Sequence, residues 1–213
     1  MLADVFSILI EGEAMATKYL DLMFTDAVCR AQTKYYGHAG KIADAPERDP
    51  LSQAEVEFIA ARYSFYVGSI SEGEWPYIQH RGGPQGFLRV INETTLAFAD
   101  YKGNRQLLTT GNVSVNDRVG LFLMDYKNRE RLKILGHARI EDARAHPELI
   151  AQLADPKMRS AVERLVFIDV VSFDWNCPKY ITPRYSAEEV EEHVGPLKSR
   201  IAELEAQLLA AKS

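Results

Sequence analysis

From Tyr63 onward the sequence is cut into short β-favouring stretches of period two, each closed by turn residues. This punctuation restricts the chain to a mainly antiparallel β fold. The stretches run from Tyr63 to Ser71, Pro76 to His80, Phe87 to Ile91, Thr94 to Ala99, Arg118 to Tyr126 and Arg131 to Ile140. A last apolar run, LVFIDVVSFDW, spans Leu165 to Trp175. Glu72-Gly73, Asn92-Glu93 and Lys127-Asn128 sit at turn positions, and Gly82, Gly83 and Pro84 are expected to interrupt pairing between the second and third strands. A short helix is predicted from Asn104 to Val113 and another from Pro147 to Leu153. Six to seven antiparallel strands with a helix inserted predict a mainly β fold, a closed or nearly closed barrel with helical additions.

The flanks read differently. Residues 1 to about 62 are expected to be helical around a loop from Gly37 to Pro50, with Thr25-Asp26 as one cap. Ser52 and Glu55 form a capping box ahead of Val56, Phe58 and Ile59. From Ser186 to Lys212, Val190, Val194, Leu197, Ile201, Leu204 and Leu208 alternate by four and three, which is a heptad seam. Gly195-Pro196 is expected to break it, and the helix then lies on its own or a partner subunit. The predicted organisation is an N-terminal helical extension over 1–50, a barrel domain over 51–185 and a C-terminal helix over 186–213.

A net charge of -5 argues against a partner that must be met by many phosphate contacts, so any bound anion needs a local basic cluster. The apolar run from Val5 to Ile10 follows Asp4 and is closed by Glu11 and Glu13, so it does not read as a signal peptide, and no apolar stretch is long enough to span a bilayer. Cys29 and Cys177 form no ligand or disulfide pattern, which fits a reducing cytoplasm. The five histidines, His38, His80, His137, His146 and His193, follow no metal spacing, and no nucleophile triad or P-loop is present.

Three clusters can carry chemistry. Gln79-His80-Arg81-Gly82 ends a strand where glycines let backbone approach a ligand, and Arg81 can clamp a phosphate; the same composition suits a plain surface turn. Asp100, Lys102, Asn104, Arg105 and Gln106 follow a strand at the predicted start of the inserted helix, where free N–H groups and two cations suit a phosphate dianion, or else form a solvated basic turn. Trp175, Asn176, Lys179 and Arg184 gather an aromatic ring, an amide and two cations beside two prolines. Trp175 can face a flat ring or simply close the core.

Taken in order, WPYIQHRGGPQGFLRVI, LAFADYKGNRQLL, NDRVGLFLMDY and LKILGHARI resemble the pyridoxamine 5′-phosphate oxidase-like FMN-binding split barrels over roughly residues 50 to 185, and DWNCPKYITPR resembles the closing segment of a bacterial flavoprotein subgroup of that family. The resemblance implies FMN, with its phosphate held by Gln79, His80, Arg81, Lys102, Asn104 and Arg105, at the interface of a homodimer. It implies a two-electron oxidoreductase acting on a small molecule. A flavin carrier or sensor, an F420-binding relative, and a haem-binding relative with His80 or His137 as ligand are the alternatives. The family's arginine-led, lysine-ended strand motif is replaced here by QHRGGPQGFLRV, so pyridoxamine phosphate is not implied as substrate.

Overall fold

The computed structural model describes residues 17–40, 42, 44–175 and 179–211. Its described residues fall into two compact units, one of 17–124 with 131–175 and one of 125–130 with 179–211.

The first unit opens with three helices, α1 (Thr17–Met23), α2 (Asp26–Tyr36) and α3 (Gln53–Ala60). Their starts follow the sequence signals. Thr25 accepts a hydrogen bond from the Val28 N–H. Ser52 and Glu55 form the reciprocal capping box. Seven strands then follow: β1 (Ser64–Ile70), β2 (Pro76–Gly82), β3 (Arg89–Asn92), β4 (Thr95–Tyr101), β5 (Arg118–Asp125), β6 (Glu130–Asp142) and β7 (Val162–Trp175). Helix α4 (Leu108–Val115) separates β4 from β5, and α5 (Pro147–Leu153) precedes β7. The predicted mainly β architecture with helical additions is therefore the one observed.

The strands form one sheet in the order β2-β1-β5-β6-β7-β4-β3. β1 and β4 are separated by three strands in that order, yet Phe65 of β1 lies edge-on to Phe98 of β4 with ring centroids 5.4 Å apart. The sheet thus curls until its two ends face each other, giving a barrel split between β2 and the β4-β3 edge. Alternation along each strand sends Phe65, Val67, Leu96, Phe98, Leu121, Leu123, Ile134, Val166 and Ile168 into the barrel core. Ala97, Ala99, Leu165 and Phe167, on the opposite face of β4 and β7, pack with Leu153 of α5 in a second core.

Two local expectations are corrected. The inserted helix begins at Leu108 rather than Asn104, because Asn104 Oδ1 accepts from the Gln106 N–H in a turn, and Arg105 and Leu107 are both left-handed, with φ of 63° and 54°. Strand β2 runs through Gly82, paired with Ser64, rather than ending at His80, while β2 and β3 do not pair with each other, as the glycines and Pro84 predict.

In the second unit, Arg184 stacks over the Tyr126 ring at 4.9 Å and Lys127 pairs with Glu189 at 3.6 Å. Helix α6 (Ala187–Ala211) starts in a capping box of Ser186 and Glu189. Contrary to expectation, it continues through Pro196. The ring removes one intrahelical donor, and Lys198 bridges back to Glu191 across it at 2.7 Å.

Candidate anion site at the barrel mouth

Period two divides the first candidate cluster between two faces. Gln79 and Arg81 are half-buried and point inward from β2, whereas His80 and Gly82 point outward, His80 with its ring 5.5 Å from that of Tyr66. On β4 the same alternation places Asp100 on the interior face beyond Phe98, almost fully buried.

Arg81 and Asp100 meet there. An Arg81 terminal nitrogen donates to Asp100 Oδ1 at 2.5 Å, while Arg164 Nε, from the neighbouring β7, donates to Oδ2 at 2.8 Å. Asp100 and Arg164 are direct partners in the β4-β7 ladder. Two guanidinium groups thus share one buried carboxylate, leaving a net positive charge before the outer Glu163, which reaches Arg164 at 3.2 Å. The Arg81 Nε is buried with no hydrogen-bond partner among the described residues. A buried cationic donor of this kind costs free energy unless an acceptor meets it.

Helix α4 supplies the polar wall beside this cluster. Thr109 Oγ1 donates to Gln79 Oε1 at 2.7 Å, and the Asn112 side-chain amide donates to Ser69 Oγ at 2.9 Å. No acceptor meets the Gln79 amide nitrogen among the described residues. A cleft of about 650 Å³ is lined by Arg105, Leu107, Thr110, Arg144, Val162 and Arg164, together with the carboxylates of Glu141, Asp142 and Glu163. Arg105 is exposed and makes no ion pair among the described residues. Its left-handed backbone is a conformation that a non-glycine side chain occupies at a cost. Arg144 is engaged by Asp142, whose carboxyl it holds down at about 2 through a side-chain hydrogen bond. Lys102 is anchored by its backbone N–H to the Ala161 carbonyl, with an exposed side chain. Asn104 and Gln106 are bonded to each other.

The structure therefore gathers Gln79, Arg81 and Asp100 at the barrel mouth and sets Lys102, Asn104, Arg105 and Gln106 on the loop that follows Asp100. Trp175 Nε1 donates to the buried Glu55 at 2.6 Å and its ring packs edge-on to Phe58, so the indole closes the core next to α3. Lys179 and Arg184 belong to the second unit, and Asn176 lies outside the described residues. Sequence reasoning missed Arg164 and Thr109. Arg164 directly precedes the strand read as starting at Leu165, and only its position one step into the period-two pattern on the core-facing side could have signalled it.

A family model described as pyridoxamine 5′-phosphate oxidase matches residues 51–167, more than half of the chain and nearly the whole barrel. The chain belongs to this family. No curated protein matches it by sequence. Among solved structures it is similar to a putative pyridoxamine 5′-phosphate oxidase from Lactobacillus delbrueckii, with 14% identity and a TM-score of 0.46 over 58% of this chain and 93% of that one. It is also similar to an FMN-binding protein from Syntrophomonas wolfei, with 8% identity and a TM-score of 0.41 over 75% and 92%. A third is the haem storage protein HutZ from Vibrio cholerae, with 14% identity and a TM-score of 0.40 over 58% and 91%. Membership rests on the family match. Among the described residues there is no helix long and apolar enough to cross a membrane and no cluster of metal-ligating side chains.

Proposed function

We propose that this member of the family binds FMN at a homodimer interface and passes two electrons between the flavin and a small molecule. The observation that carries the reading is the convergence of Arg81 and Arg164 on one buried carboxylate, with the Arg81 Nε unsatisfied among the described residues and Arg105 lining the cleft that Arg164 also lines. This donor set fits a phosphate dianion. Arg81 and Arg105 hold it by charge-assisted hydrogen bonds, Gln79 donates its free amide to the same ligand, and Asp100 fixes the Arg81 guanidinium so that its remaining N–H groups point at one place. Bound flavin supplies the hydride chemistry, which accounts for a site without a nucleophile triad.

A second copy of the chain is supported by the outer face of β1, β2 and β5. Tyr66, Ile70 and Ile78 are exposed there, and Gly68 stands directly opposite Gly120, leaving the sheet flat between them. An outward sheet face would ordinarily be polar, and an apolar one marks a contact surface.

The absorption spectrum of the purified, cytoplasmically expressed protein tests the cofactor. Two visible flavin bands, and their loss in the Arg81→Ala/Arg105→Ala double variant, are expected. A Soret band, or full retention of FMN by the double variant, would overturn the assignment. Reduction by NADH or NADPH followed by reoxidation with a panel of acceptors separates an enzyme from a flavin carrier.

A further inference from the structure

Helix α6 carries an apolar seam that nothing in its own unit covers. In heptad letters, position a is filled by Ala187, Val194, Ile201 and Leu208, and position d by Val190, Leu197, Leu204 and Ala211. No residue of the helix is buried, and Val190, Leu197, Ile201, Leu204 and Leu208 are each between 47% and 62% exposed. Gly195 and Pro196 occupy positions b and c, off the seam, so the proline removes a hydrogen bond without removing a packing residue.

We propose that α6 pairs in parallel with the same helix of a second copy of this chain, as a two-stranded coiled coil. The occupant follows from side-chain shape and charge. β-Branched Val194 and Ile201 at a with Leu197 and Leu204 at d is the arrangement that favours two parallel strands. In that register Arg200 at g faces Glu205 at e of the partner helix, an attractive pair made twice by symmetry. The fully overlapped antiparallel register instead sets Lys198 against Lys198, Arg200 against Arg200 and Glu191 against Glu205, three like-charge contacts. Arg200 is free to exchange partners, because its present bond to Glu203, 2.8 Å long, lies in solvent. A helix of this length is marginal alone. Pairing of two barrels would present the second helix at high effective concentration, so a short seam suffices.

Disulfide trapping on the full chain tests this directly. With Cys29 and Cys177 replaced by Ser, Leu204→Cys is expected to form a covalent dimer in oxidised glutathione at least about fivefold faster than Ser199→Cys, which sits at the outward f position. Adding Glu205→Lys to the Leu204→Cys chain should slow the reaction, and adding Arg200→Glu together with Glu205→Lys should restore it. Trapping no faster than Ser199→Cys overturns the proposal, as does preferential linkage of Leu204→Cys to Val194→Cys in a mixed preparation, which would mean antiparallel pairing. Ser199, Arg200, Leu204 and Glu205 are exposed, so their substitutions keep the fold. Flavin content, read on the same samples, reports separately on the FMN reading.

Discussion

Arg81 on β2 and Asp100 on β4 are joined at 2.5 Å across the open side of the barrel, a link between strands that no backbone ladder connects. The pair closes the mouth of the barrel through side chains where the sheet leaves off. It also sets the charge of the candidate site, since Asp100 is the only carboxylate among the described residues that both Arg81 and Arg164 contact.

Asp100→Asn should therefore separate stability from anion binding. Removing the carboxylate leaves two partly buried guanidinium groups facing each other, at a cost of about 3 kcal/mol in chemical unfolding. The vacated donors then become available to a ligand. Inorganic phosphate is expected to raise the thermal midpoint of the variant more than that of the parent. Equal shifts in the two proteins would show that the Arg81 and Arg164 donors do not face a bindable anion.

Arg105→Gly tests the loop from the opposite direction. Glycine relieves the left-handed strain at φ 63° and should raise stability by up to about 1 kcal/mol. The same change deletes a cation that has no ion pair among the described residues at the cleft, and FMN affinity should fall by about 10- to 100-fold, the value of one hydrogen bond to a charged group. Fluorescence titration with FMN and urea unfolding read the two effects. A variant that is more stable and binds FMN as tightly as the parent would remove Arg105 from the site.

The sheet and its helix caps were legible because their signals are local. Period two located every strand to within a few residues, and the Ser52 and Glu55 spacing marked α3 from four positions alone. The site was legible only in part. Asn104 reads as the start of the inserted helix, but its side chain accepts the Gln106 N–H within a turn, and two left-handed residues then delay the helix to Leu108. Arg164 meets Asp100 across 64 positions of sequence, a contact created by strand order that no local pattern encodes. His80 illustrates the converse: its neighbours Gln79 and Arg81 reach the site because alternation turns His80 away.

Trp175 is the residue whose sequence context gave least. An aromatic side chain at the end of an apolar strand serves a core and a flat ligand equally well, and only the Glu55 bond and the Phe58 contact decide its place. It stands eleven positions along β7 from Arg164, on the order of 30 Å at the usual strand rise. Trp175→Phe is expected to cost about 2 kcal/mol by leaving the buried Glu55 short of a donor, with flavin content unchanged. Loss of flavin at unchanged stability would instead return the indole to a ligand.

Asp49 provides a pH signature for the packing of the N-terminal helices on the barrel. Its backbone N–H donates to the Val171 carbonyl, its Oδ1 accepts the Lys18 N–H at 3.4 Å, and its buried Oδ2 has no partner among the described residues. Burial raises its pKa above the ordinary aspartate value, and the backbone donors of Lys18 and Tyr19 offset this only in part. With the folded pKa above the unfolded one, the favourable contribution of neutral Asp49 is fully present below the unfolded pKa and is lost as pH rises through the folded pKa. The unfolding free energy of the parent should therefore fall, relative to that of Asp49→Asn, as the pH is raised from the ordinary aspartate range toward neutrality. The asparagine variant lacks the titrating group, so this difference between the two curves isolates Asp49 from every other carboxylate. Parallel stability curves for the two proteins across that range would show that Asp49 titrates alike in the folded and unfolded chains.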